Sequence, residues 1–179
     1  MLRIERVLPE DILTLQRVVE ETYLPYFRYL WHDEGKVYLA NINNLEVLEQ
    51  HLAKPQHHYY FAKLEDGTIA GYLKLIFEAP IPDTPHSNAV SLDKIYLSEA
   101  AKGKGIGKLL MDFADRQAQL AKAEYLWLRV MDSNAYNLDF YVKNGYKIVY
   151  KRWLELANIK EEYRGIFTML KSLKAMVPT

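Results

Sequence analysis

The segment Leu97-Ser98-Glu99-Ala100-Ala101-Lys102-Gly103-Lys104-Gly105-Ile106-Gly107-Lys108-Leu109-Leu110 concentrates residue types that could bind an anion. Three glycines spaced two apart join an apolar run to a helical pattern. Glycine permits positive φ and close approach of backbone to a ligand. The first turn of the helix that follows offers unpaired N–H groups, reinforced by the helix dipole. Lys102, Lys104 and Lys108 add cations around the same spot, and a diphosphate suits this chemistry. Two further places draw attention. Asn134 and Tyr141 lie seven residues apart, about two helical turns, so they share nearly one face. Asp93 sits within the apolar run Ala89–Leu97, where a carboxylate is costly without a partner. It serves either the chemistry or an ion pair with a neighbouring Lys or Arg.

These residues need a scaffold. Leu2–Val7 alternates as a first strand. Pro9-Glu10-Asp11 opens a helix whose apolar face carries Ile12, Leu15, Val18, Val19 and Thr22. Pro25 is expected to interrupt that helix, with a short second one over Tyr26–Trp31. Asn44 caps a helix bearing Leu45, Leu48 and Leu52. His58–Leu64 and Ile69–Phe77 form a hairpin about Glu65-Asp66-Gly67-Thr68. Three prolines in Pro80–Pro85 preclude a helix or a central strand. The strand Ala89–Leu97 follows, and strict alternation puts Ala89, Ser91, Asp93, Ile95 and Leu97 on one face. Then come a helix from Gly105 to Ala121, a strand Tyr125–Met131, and a helix Ala135–Asn144 ended by Gly145. Strands Tyr146–Leu156 and Ile166–Leu173 close the chain. The order gives an α/β (α+β) fold, a mixed sheet flanked by helices on both faces, in one domain over residues 1–179.

Two familiar phosphate loops do not fit. A P-loop needs Gly five residues before Gly107 and a hydroxyl after Lys108, where this chain has Lys102 and Leu109. The dinucleotide fingerprint G-x-G-x-x-G fails because Gly107 comes one residue too early. Lys102-Gly103-Lys104-Gly105-Ile106-Gly107 instead resembles the Q/R-x-x-G-x-G/A loop of the GCN5-related N-acetyltransferases, with Lys in place of Gln or Arg. A second stretch, Asn134-Ala135-Tyr136-Asn137-Leu138-Asp139-Phe140-Tyr141-Val142-Lys143-Asn144-Gly145-Tyr146, is similar to that family's N-x-x-A-x-x-F-Y-x-K-x-G-F. Asn137 replaces Ala and Tyr146 replaces Phe. The likeness is close from residue 89 to 150. It implies a largely antiparallel central sheet.

The resemblance implies transfer of an acetyl group from acetyl-CoA to a primary amine by direct attack, with no metal. Its diphosphate is expected on the backbone of Gly103, Lys104, Gly105, Ile106, Gly107 and Lys108, beside the Lys102 side chain. The pantetheine arm is expected to run along Ile95, Tyr96 and Leu97, with the Leu97 N–H polarising the thioester carbonyl. Tyr141 becomes the general acid and Asp93 the general base; Asn134, Asn137 and Lys143 become cofactor contacts. Glu20, Glu21, Asp33 and Glu34 lie among Tyr23, Tyr26, Tyr29 and Trp31, a mixture suited to a cation, although core packing explains the rings as well. Leu92-Asp93-Lys94-Ile95-Tyr96-Leu97 is also similar to a strand of bacterial polyamine acetyltransferases, which points to a small amine or polyamine acceptor. Two alternatives stand beside this reading: a non-catalytic acyl-CoA-binding regulatory module of the same fold, and acetylation of protein N-termini.

Composition narrows the field further. The 179 residues contain 23 basic and 23 acidic side chains, so a globally basic nucleic-acid binder is excluded. No cysteine means no thiolate nucleophile and no Cys-ligated zinc, and it fits a cytoplasmic setting. The five histidines form no helical metal pair. The first residues read as no signal peptide, and no apolar run is long enough to span a membrane. A homodimer is compatible with all of this.

Overall fold

The computed structural model describes residues 2–173. Its centre is a seven-stranded sheet in the order β1-β2-β3-β4-β5-β7-β6. The strands are β1 (Arg3–Arg6), β2 (His57–Lys63), β3 (Ile69–Ile76), β4 (Ala89–Leu97), β5 (Tyr125–Met131), β6 (Lys147–Trp153) and β7 (Gly165–Ser172). Every neighbouring pair is antiparallel except β4 and β5. Parallel neighbours need a long crossover, supplied here by the loop after β4 and helix α4 (Ile106–Leu120).

Alternation within the strands divides the core in two. On one face, Tyr60, Leu73, Leu75, Val90, Leu92, Leu126 and Leu128 pack against α4. Helix α4 turns Ile106, Leu110, Met111, Ala114 and Ala118 inward at helical spacing. Burying a Leu or Met side chain contributes about 1.5–3 kcal/mol, so this stripe fixes where the first turn of α4 sits. Helix α5 (Ala135–Lys143) joins the same face through Tyr141. The opposite face carries α1 (Ile12–Phe27), α2 (Lys36–Ile42) and α3 (Leu45–Ala53), packed on Tyr59, Phe61 and Tyr72.

Four readings of the sequence are corrected. Helix α1 runs through Pro25 to Phe27, followed by a 3-10 turn at Arg28–Leu30. Proline lacks a donor, but Pro25 and Glu21, whose carbonyl it leaves unpaired, both lie on the exposed side of the helix. Helix α2 was not expected. It starts after Gly35 at φ 83° and is capped by the Asp33 carboxylate, which accepts from the N–H of Gly35 (3.2 Å) and Val37 (2.9 Å). β6 ends at Trp153, and the chain from Leu154 to Arg164 turns back over the end of α1. There Lys160 N–H donates to the Leu30 carbonyl (2.9 Å) and His32 N–H to the Asn158 carbonyl (2.8 Å).

The fourth correction concerns β4. Lys74 pairs with Lys94 while Leu75 pairs with Leu92, so Asp93 is an extra residue in a bulge. A bulge shifts the alternation by one. Val90 and Leu92 face α4, and beyond the bulge it is Ile95 and Leu97 that do so, with Tyr96 on the α1 face. The five odd-numbered residues therefore do not share one face.

Candidate active site

The bulge coincides with a split in the sheet. β4 and β5 pair only at Ala89–Tyr125, Val90–Leu126 and Ser91–Trp127, and then diverge. Ser98 N–H donates to the Ala70 carbonyl at 2.8 Å. Antiparallel ladders alternate inward and outward pairs, so the main-chain groups of Tyr96 and Lys94 also turn to β3. Those of Ile95 and Leu97 turn to the gap, where no strand pairs with them. Gly71 lies opposite Leu97, and a Cβ there would stand 2.2 Å from the Tyr96 carbonyl oxygen. Only glycine lets β3 approach this closely.

The N-terminus of α4 opens beside this free strand edge. Gly103 and Gly105 adopt φ 70° and 74°, a left-handed conformation that favours glycine, and a Cβ on either would meet nothing within 4 Å. The N–H groups of Ile106, Gly107 and Lys108 form the unpaired first turn. A groove of about 470 Å³ runs from this turn to the split, lined by Ile95, Leu97, Lys102, Gly107, Asn134 and Tyr141 among others. Of the three lysines, Lys102 and Lys108 line it and Lys104 does not. Lys102 Nζ lies 3.4 Å above the Tyr26 ring and 3.3 Å from Glu99, and Lys108 pairs with Asp112.

A second cavity, of about 260 Å³, lies on the α1 side of the split. Tyr23, Trp31 and Tyr38 form one wall as a ring stack, with centroids 5.3 Å and 4.7 Å apart. Leu154, Leu156 and Ile159, from the segment after β6, form another, and Asp93, Lys94 and Arg129 supply charge. The two cavities share Phe27, Ile95, Tyr96, Asn134, Asn137 and Tyr141. Tyr141 thus stands where they meet. Burial first, then Tyr96, raises its phenol above the ordinary value, and its hydroxyl has no hydrogen-bond partner among the described residues. Asn134 caps α5 by accepting from the Asn137 N–H at 3.0 Å.

The structure brings Ile95, Tyr96, Leu97, Lys102, Gly103, Gly105, Ile106, Gly107, Lys108, Asn134, Asn137 and Tyr141 to one groove. Lys143 is not among them; it pairs with Asp139 on the exposed side of α5 (2.6 Å). Asp93 lies on the other side of the split, with Lys74 at 2.9 Å and Lys94 at 3.9 Å. Burial works against its charge, but Lys94 and Lys74 outweigh burial and hold the carboxyl at about 2. Lys74 is itself buried, which lowers its ammonium, with Asp93 partly offsetting the loss.

A strand edge left open beside a helix N-terminus, with a tyrosine at the junction, is the arrangement that the two sequence stretches had implied. The sequence matches the acetyltransferase (GNAT) family over residues 17–146. This chain belongs to that family. An uncharacterised N-acetyltransferase in the pepI 3' region of Lactobacillus delbrueckii subsp. lactis is 32% identical over 108 residues, 60% of this chain and 62% of that relative. The fold is shared with PaiA N-acetyltransferase from Thermoplasma acidophilum, solved in complex with coenzyme A, at TM-score 0.74, 22% identity and coverage of 96% and 99%. It is also shared with a spermidine N-acetyltransferase SpeG chimera from Vibrio cholerae and hSSAT, at TM-score 0.72, 16% identity and coverage of 96% and 95%.

Within this GNAT chain, sequence reasoning missed Lys74, Lys94, Arg129 and Gly71. A lone charge inside an apolar strand was the available signal for Lys74 and Arg129, and Lys94 adjoins Asp93 in β4. Glu20, Glu21, Asp33 and Glu34 were expected at the acceptor side, and none lines either cavity. Asp33 caps α2, and Glu21 pairs with Arg17 at 3.1 Å. Among the described residues no group of His, Asp or Glu could hold a metal ion, and no helix is long and apolar enough to cross a membrane.

Proposed function

We propose that this protein transfers the acetyl group of acetyl-CoA to a primary amine of a small acceptor. The observation that carries the reading is the free edge of β4 running into the α4 N-terminus, with Tyr141 between the two cavities. The residues fit the cofactor: the open space over Gly103 and Gly105 admits a diphosphate against the α4 N–H groups, and Ile95 and Leu97 offer main-chain bonds to an extended arm. Bound there, acetyl-CoA supplies an activated acyl group on a thiol leaving group.

The chain's own part then follows from chemistry. The Leu97 N–H, aimed into the gap, donates to the carbonyl oxygen that gains charge. The Tyr141 hydroxyl donates to the departing sulfur. Asp93, with a carboxyl held at about 2, is too acidic to hold an amine's proton; in this reading it orders water and balances Lys74 and Lys94, and the proton leaves through that water. Asn134 and Asn137 orient the reactants at the mouth shared by the cavities.

The test is thiol release from acetyl-CoA with a panel of primary amines. Release that depends on the acceptor supports the reading. Tight coenzyme binding with no turnover across the panel overturns it in favour of a regulatory acyl-CoA-binding module.

A further inference from the structure

The inner cavity carries more positive than negative charge, and that bears on the acceptor. Among the described residues, its lining includes one carboxylate, Asp93, and two cations, Lys94 and Arg129. Asp93 is already engaged by a third cation, Lys74, at 2.9 Å, against 3.9 Å to Lys94. Arg129 projects from β5 on the α1 side of the split, between Trp127 and Met131 in sequence. Its guanidinium carbon lies 5.5 Å from the centre of the Trp127 ring. A guanidinium held near a ring face keeps its N–H donors available at its edge. No carboxylate pairs with Arg129 among the described residues. The four acids that would welcome a polycation lie outside the cavity.

We infer that the acceptor is a small primary amine that also bears a carboxylate, received by Arg129 with Lys94 beside it, and that its apolar body rests on the Tyr23, Trp31 and Tyr38 stack. This deepens the acetyl-transfer reading above and rests on it. Three features converge. A planar guanidinium with no partner is suited to a carboxylate, which it can hold in two parallel bonds. A cavity of about 260 Å³ has room for a molecule of amino-acid size. The surplus of cations disfavours a polyamine at the same position by like-charge repulsion, while it attracts a zwitterion by its acidic end. Asp93 is already balanced by Lys74 and Lys94, so the acceptor's carboxylate meets net positive charge. Arg129 is therefore a specificity residue and takes no part in the acyl transfer itself.

The experiment uses the full chain with acetyl-CoA and matched acceptors: α- and ω-amino acids, the amide of each, and spermidine as a cationic control. The acids are expected to exceed their amides in kcat/KM by about 10- to 100-fold, the range of one hydrogen-bonded charge pair. In Arg129→Gln the acid-to-amide ratio should collapse towards one, mainly through KM. Lys94→Gln should reduce the ratio by a smaller factor. Amides or spermidine used as well as the acids, or an Arg129→Gln variant with an unchanged ratio, overturns the inference and leaves the transfer reading standing. If no amine is acetylated, the transfer reading falls, and calorimetry of amino acids on the coenzyme-A complex decides the inference separately. Binding lost in Arg129→Gln supports it, and no binding by wild type overturns it.

Discussion

At the scale of single residues, the general-acid role proposed for Tyr141 rests on where packing puts it. Ring contacts with Phe140 (5.6 Å) and Tyr146 (5.9 Å) hold it, and its burial raises the phenol above the ordinary ~10. A raised phenol stays protonated at every working pH, so the donor is never lost. The expected pH profile of kcat/KM therefore climbs as the acceptor amine loses its proton and shows no descending limb up to about pH 10. Tyr141→Phe keeps the ring and deletes the donor. Turnover should fall about 100-fold, with a smaller loss of coenzyme affinity. Steady-state kinetics beside calorimetry checks both, and an unaltered turnover number would return Tyr141 to a packing role.

Elements decide what single residues cannot, and two of them build the cofactor groove. Gly107 lies in the first turn of α4, and a Cβ there would meet the Phe140 ring at 3.5 Å, an ordinary contact. Asp at this position fits, improves helix propensity and favours the positive end of the dipole. Gly107→Asp should therefore keep or raise the melting temperature while coenzyme A affinity falls about 100-fold or more, because the new charge lies in the helix turn proposed to receive the diphosphate. Loss of stability together with affinity would mean that the glycine serves packing. The sequence disclosed these elements because each carries a local signature: three glycines ahead of an amphipathic helix, and an Asn cap ahead of Tyr141. It did not disclose the bulge at Asp93, because alternation looks regular until Lys74 and Lys94 are set side by side across the sheet. Helix α2 also stayed hidden. Its cap is a carboxylate three residues ahead of a seven-residue helix that has one buried residue, Leu39, too little periodicity to register. The charge of Arg129 within an apolar strand was visible, but its meaning comes from the divergence of β4 and β5, a property of pairing between distant segments.

The whole molecule ties its stability to the same charged layer that flanks the cavity on the α1 side. On the α1 face, His51 bonds the Tyr59 hydroxyl at 2.9 Å, lies beside the tilted ring of His57 (centroids 4.9 Å apart), and sits within the field of Lys74. Burial first, then Lys74 and His57, hold the His51 imidazole at about 4. Burial and Lys74 also lower His57, and burial and Arg6 lower His58. The unfolded chain takes up protons on these rings near the ordinary 6.5 that the folded chain refuses. Stability therefore falls as pH drops from about 6.5 to 4, and is fully present above that window. Asp93 adds a second step. Its carboxyl is held at about 2, so its contribution is present above about 4 and is lost as pH falls towards 2. Urea unfolding followed at intervals between pH 7 and pH 3 should show both declines. His51→Gln removes a titrating ring and should flatten the upper decline relative to wild type, while the lower decline remains. Equal slopes in the two proteins between pH 6.5 and 4 would show that the imidazole beneath α3 is not what couples the fold to acid.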